Sequence, residues 1–204
     1  GIPAESIKEN WKRQFERYWS CLVEDNDQFE NADRSRLAEF RNKTNDLFDS
    51  DIPGVFNHND FVPENIIEVN DRLVVMDWEL AARMDIPLMD LLRFIHRFFT
   101  KAGNLAGQAL IECMYFKSNG ITLLIKDTLS EYAARFNLEK ESIRTLIGLY
   151  WFRMAYLEDE TMKWARDHGG LMPNKSRYQD MLRENRFFKA FLHYLANKER
   201  LIGI

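Results

Sequence analysis

Apolar residues recur every three to four positions along almost all of this 204-residue chain, and the pattern breaks once. Ile7, Trp11, Phe15, Tyr18, Trp19 and Leu22 set an amphipathic helix from Ala4 to about Phe29, and Leu37, Phe40, Leu47 and Phe48 set a second from about Asp33 to Phe48. After Pro87 the helical period returns, predicting helices at about 88–100, 105–118, 121–136, 139–167 and 176–197. Gly103, Gly120, Gly169-Gly170 and Pro173 punctuate them; Asn137 suits a helix end and Ser176 a helix start. Trp151, Phe152, Tyr156 and Trp164 keep helical spacing and read as core. The break begins at Asp51-Ile52-Pro53-Gly54 and holds two β-rich runs, Ile66–Val69 and Leu73–Met76, joined across Asn70-Asp71 as a hairpin. The fold class that follows is mainly α with one small β-hairpin, as a single unit over 1–204: a helical lead-in at 1–50, the polar hairpin segment at 56–79 and a helical subdomain at 85–204.

Composition narrows the function. Hydrophobic residues make up 46% and charged residues 29%, an ordinary globular balance. A net charge of −4 offers no basic field for a phosphate backbone, so nucleic acid is not expected as a partner, and a small or cationic one fits better. Cys21 and Cys113 lie far apart in a chain that needs no disulfide, which predicts free thiols and a reducing compartment. No apolar run reaches the length of a membrane span and no leader pattern opens the chain, so a cytoplasmic protein without membrane attachment is expected.

The break itself is dense in polar chemistry. His58, Asp60, Pro63 and Asn65 form H-x-D-x-x-P-x-N before the first strand, and Asp77 and Glu79 follow the second in D-W-E. A hairpin returns to the end from which it started, which brings Asn65 and Asp77 together. Phosphoryl transfer from a nucleotide needs a carboxylate to orient or deprotonate the attacking hydroxyl and oxygen ligands to hold Mg²⁺. Asp60 suits the first role; Asn65 and Asp77 make an oxygen-only pair for the second. Pro63 would stiffen the loop, and His58 would brace it by hydrogen bonds.

H58-N-D60-F-V-P63-E-N65 and M76-D77-W-E79, continued by D85-I-P87-L-M-D90-L-L, resemble the catalytic loop, metal-binding segment and following stretch of the aminoglycoside phosphotransferase and choline kinase group, whose fold is related to protein kinases. The resemblance implies a protein-kinase-like C-terminal lobe with Asp60 as catalytic base, Asn65 and Asp77 as Mg²⁺ ligands, Glu79 as an added metal contact and Asp90 as a brace. It also implies ATP and Mg²⁺ as cofactors and a small-molecule hydroxyl acceptor such as a sugar, amino-alcohol or aminoglycoside. Protein kinases themselves are less similar: Asn59 replaces their arginine, Val62 their lysine, D-W-E their D-F-G, and no A-P-E follows.

The β-rich N-terminal nucleotide lobe of such kinases is not visible in this sequence, so that lobe is expected from the rest of the protein and this chain alone should bind ATP poorly. The alternative is a pseudokinase or interaction module that keeps the fold without catalysis. A metal hydrolase built on His58 and Asp60 would need more histidines, and His96, His168 and His193 all sit in helical stretches. For a cationic acceptor, Asp85, Glu158, Asp159 and Glu160 are the candidate acidic groups.

Overall fold

The computed structural model describes residues 4–24, 29–168 and 185–201. Helix α1 (Ala4–Trp19) runs into a wider π-type turn at Ser20–Glu24, and α2 (Asn31–Asp49) follows. Strands β1 (Val55–Asn57), β2 (Ile66–Val69), β3 (Arg72–Val75) and β4 (Ala82–Asp85) come next, with single helical turns at Pro63–Asn65 and Trp78–Leu80. The remainder is helical: α3 (Met89–Gly103), α4 (Gly107–Ile111) continued by a π-type turn at Glu112–Phe116, α5 (Gly120–Phe136), α6 (Lys140–His168) and α7 (Arg186–Asn197). The mainly helical expectation holds. The first helical stretch was expected to reach about Phe29, but Phe29 itself is not helical. Ser176 and the first part of the helix expected at 176–197 lie outside the described residues.

Helix α6 is the axis on which α1, α2 and α7 converge. Phe15 meets Phe40 and Phe152 at ring-centroid distances of 6.0 and 5.7 Å, and Phe191 meets Phe40 and Phe152 at 4.9 and 5.0 Å. Each such buried ring contributes roughly 1.5–3 kcal/mol relative to exposure. Gly148 makes the approach of α2 to α6 possible, because a Cβ there would stand 2.9 Å from Phe40 Cε2. Asn119 caps α5 by accepting from the Thr122 amide at 2.8 Å, and Asn137 ends it in the left-handed region at φ 51°.

The β-segment differs from a lone hairpin. β2 and β3 pair as expected, Ile66 opposite Val75 and Val69 opposite Arg72, with Asn70 and Asp71 both at positive φ in the connecting turn. A second antiparallel ribbon, β1 with β4, pairs Val55 with Asp85 and Asn57 with Ala82 across an irregularity. This ribbon anchors the segment: Asn57 is buried and donates to the Ile86 carbonyl at 2.7 Å. The β2–β3 hairpin instead projects from the helical body, with Leu73 76% exposed and Val69 and Val74 about as exposed as each other at 43% and 41%. Among the described residues, no helix is long and apolar enough to cross a membrane, and Cys21 and Cys113 are free thiols.

Candidate functional site

The loop from His58 to Asn65 is held from below by one carboxylate. Asp90, in the first turn of α3, accepts from the backbone amides of His58 at 2.5 Å and Asn59 at 2.9 Å. Two charge-assisted bonds to consecutive amides fix both position and orientation of the loop. His58 is buried and ties the loop to the end of the second hairpin strand, its Nε2 donating to the Met76 carbonyl at 2.7 Å while Nδ1 accepts from the Asp60 amide at 3.3 Å. The Trp78 ring packs on the His58 ring at 4.6 Å, and its indole N–H donates to the Val75 carbonyl at 2.8 Å. His58 and Asp90 both hold the loop by hydrogen bonds.

Asp60 and Asn65 meet at the base of the hairpin, and Asp77 follows the residue whose amide bonds to the Asn65 carbonyl. The Asn65 side-chain amide donates to the Asp60 carbonyl at 2.9 Å and to Asp60 Oδ2 at 3.2 Å. Both partners are acceptors, which assigns the amide nitrogen to that side and leaves Asn65 Oδ1 as an outward acceptor. The Asn65 carbonyl accepts from the Met76 amide at 2.8 Å, so Asp77 follows the pair directly. Pro63 opens the helical turn that carries Asn65. Asp77 adopts φ 63°, ψ 60°, a left-handed conformation that costs a non-glycine residue of order 1 kcal/mol or more. Its exposed carboxylate has no hydrogen-bond or ion-pair partner among the described residues. Asn59, Met84 and Leu88 also have positive φ, so backbone strain gathers around this loop. Glu79 is exposed in the next turn, and among the described residues no hydrogen bond joins it to Asn65 or Asp77.

Asn65 Oδ1 and the unpartnered Asp77 carboxylate are hard oxygen donors, the kind of group that suits Mg²⁺. Asp60 has both oxygens engaged, Oδ2 by Asn65 and Oδ1 by Arg93 Nη2 at 3.1 Å. Each carboxylate oxygen keeps a further acceptor position, which leaves Asp60 able to take a proton from an incoming hydroxyl.

The four acids considered for a cationic acceptor do not converge. Asp85 is buried, accepts from the Ile86 amide at 2.7 Å and faces Arg153 at 3.6 Å. Asp159 is buried on another side of α6, 2.7 Å from Lys163 and 3.1 Å from Cys21; Glu160 pairs with Arg17 and Lys163. Cys21, Asp159 and Glu160 lie close enough to share an ion, but the Lys163 ammonium already supplies a cation there, 2.8 Å from Cys21 Sγ. Burial, ahead of any neighbouring charge, raises the Cys21 thiol to about 11. Only Glu158 lines a cleft near Asp60.

That cleft is shaped by arginines absent from the sequence reading. A small one of about 140 Å³ lies at Asn59, Asp60, Arg93 and Arg153, and a larger one of about 490 Å³ continues past Arg93 to Arg97, Glu158 and Arg186. Arg153, from α6, donates to Asn59 Oδ1 at 3.1 Å. The R-x-x-x-R spacing of Arg93 and Arg97 on one helix face was the available signal. His96 is a core group, accepting at Nδ1 from the Tyr150 hydroxyl at 2.6 Å, and His193 pairs with Glu112 at 2.7 Å. His168 lies outside the residues whose side chains are described. No family model, no curated protein and no solved structure matches the chain.

Proposed function

We propose that this chain is the catalytic lobe of a small-molecule phosphotransferase with a kinase-like fold. The observation that carries the reading is the concerted geometry of four residues: Asp90 clamping two loop amides, Asn65 holding Asp60, and an unpartnered Asp77 in a strained left-handed conformation beside them. A polar loop serving only structure would have no use for an exposed carboxylate held at that cost. Asn65 Oδ1 and Asp77 would hold Mg²⁺, with Glu79 close enough in sequence to contribute through water. ATP would supply the phosphoryl group, and Mg²⁺ would neutralise charge on its phosphates. Asp60 would receive the proton of the acceptor hydroxyl, with its carboxylate oriented by Asn65 and Arg93.

The projecting hairpin supports the same reading. Trp78 and Leu80 are 49% and 58% exposed, Phe56 stacks on Trp78 at 5.8 Å, and Leu73 is exposed farther along the hairpin. Apolar area of this kind marks a surface that something covers. A nucleotide base and a β-rich lobe carrying it would fill that place. The same surface favours a second reading, an interaction module without catalysis, in which a protein partner covers it.

The test is phosphoryl transfer from labelled ATP, in the longest protein the gene encodes, to a panel of sugars, amino-alcohols, aminoglycosides and sugar acids. Transfer that Asp60→Asn lowers by 10²-fold or more supports the enzyme. No transfer to any acceptor together with no Mg²⁺-dependent ATP binding leaves the interaction module.

A further inference from the structure

The geometry points to an acceptor that carries an oxyanion, a carboxylate or a phosphate monoester, in addition to its reacting hydroxyl, with Arg97 and Arg186 holding that group in the larger cleft. The inference rests on the phosphotransferase reading for the identity of the site and adds the class of molecule the site takes.

Among the described residues, the charged side chains lining the cleft are Arg93, Arg97, Arg186 and Glu158. Three cations and one carboxylate line the cleft, and each arginine has one carboxylate partner, Arg93 with Asp60, Arg97 with Glu64 and Arg186 with Glu158, which leaves the remaining edges of the guanidinium groups for a ligand. Glu158 Oε1 forms an ion pair with Arg186 Nε at 2.9 Å, and Oε2 accepts from the Phe187 amide at 3.4 Å. The ion pair is made through Nε, and among the described residues no hydrogen bond engages the two terminal nitrogens of Arg186, whose guanidinium lies over the Phe187 ring at 4.9 Å. Arg97 likewise engages Glu64 through Nε and Nη2, both at 2.8 Å to the same oxygen. Lys101 adds a further cation to that same Glu64 oxygen. Planar guanidinium forks are the groups that match carboxylate and phosphate oxygens two at a time.

Position joins this cleft to the reacting end. Arg93 lines both cavities and contacts Asp60 itself. Arg97 follows one helical turn along α3, about 6 Å farther. A hydroxyl at Asp60 and an oxyanion at Arg97 and Arg186 would thus be separated by the length of a short polyol, whose carbons would lie against Met154, Leu157 and Phe187. The wall responds to the same field. Burial first, and then the charges of Arg93, Arg186 and Arg97, hold the His96 imidazole down at about 3, so it stays neutral behind the arginines. A cationic acceptor would meet like charge on this side, and Asp85, Asp159 and Glu160 are turned to other partners.

The experiment is calorimetric titration of D-gluconate, D-glucose 6-phosphate, D-glucose and choline into the longest protein the gene encodes, without nucleotide, in wild type and in Arg97→Gln/Arg186→Gln. Gluconate or glucose 6-phosphate should bind, the better of the two telling carboxylate from phosphate, and the double variant should weaken it at least 10-fold. Glu158→Gln removes the competing carboxylate without removing a cation, and should tighten the same anion several-fold. Equal binding of choline or glucose, no binding of either anion, or anion binding indifferent to all three substitutions would overturn the inference. Repeating the panel with Mg·ATP separates the two claims. Arginine-dependent anion binding without transfer supports the cleft and counts against the phosphotransferase; transfer to choline or glucose unaffected by the variants does the reverse.

Discussion

At Asp90 one side chain carries the loop. Both of its oxygens are spent on the amides of His58 and Asn59, so Asp90→Ala would strand two donors beneath the loop. A stranded buried donor costs about 1–3 kcal/mol, and the loss should appear as lower stability in urea together with loss of any activity that depends on Asp60. Asp90→Asn, which keeps one acceptor oxygen, should fall between the two. His58, Asp60, Asn65 and Asp77 stood out by residue type and spacing, and Asp90 only through the resemblance. Arg93, Arg153 and Arg186 did not, since an arginine on a helix reads as a solvated face until tertiary packing shows what it turns towards. The acids on α6 failed for the same reason in reverse: Glu158, Asp159 and Glu160 are sequence neighbours that a helix sends in different directions.

The helices were readable from periodicity because their buried faces repeat: Leu37, Phe40, Leu47 and Phe48 on α2 are all buried where the pattern put them. What periodicity could not show was which faces meet. Gly148 lies at the crossing of α2 and α6, and only the Phe40 ring 2.9 Å from its missing Cβ reveals why it is glycine. Gly148→Ala should therefore destabilise by about 1–3 kcal/mol through overpacking, although alanine is the better helix former. Thermal unfolding of the variant measures it, and an increase in Tm would show that α2 can move aside. The ribbon of β1 with β4 was hidden for a different reason. Its strands are three and four residues long, and Ala82-Arg83-Met84-Asp85 lacks the β-branched residues by which β2 and β3 declared themselves.

For the molecule as a whole, one pH response comes from the core histidine, beside that of carboxylates such as Glu64, held down by Lys101 and Arg97. The folded state holds His96 at about 3, below the ordinary value of about 6.5. The unfolded chain therefore binds the extra proton first. His96's contribution is complete above about pH 6.5 and is lost as pH falls towards 3, with a slope approaching 1.4 kcal/mol per pH unit, about one proton's worth. Urea titrations between pH 4 and 7 should show this decline, and the His96 ring resonances should not shift between pH 5 and 8. A shift centred near 6.5 would place His96 in contact with solvent and contradict its position behind Arg93, Arg97 and Arg186. At the same scale the exposed hairpin is one apolar feature left uncovered, and Leu73→Lys should leave thermal unfolding unchanged.

The central claim, that Asn65 and Asp77 form the metal end of a phosphotransferase site, is tested most directly by titrating Mn²⁺ with ATP into the isotope-labelled, longest protein the gene encodes. Paramagnetic broadening should begin at Asp60–Asn65 and Met76–Glu79 and should vanish in Asp77→Ala. Broadening centred elsewhere, such as at Asp159 and Glu160, or unchanged in the Asp77 variant, would contradict it.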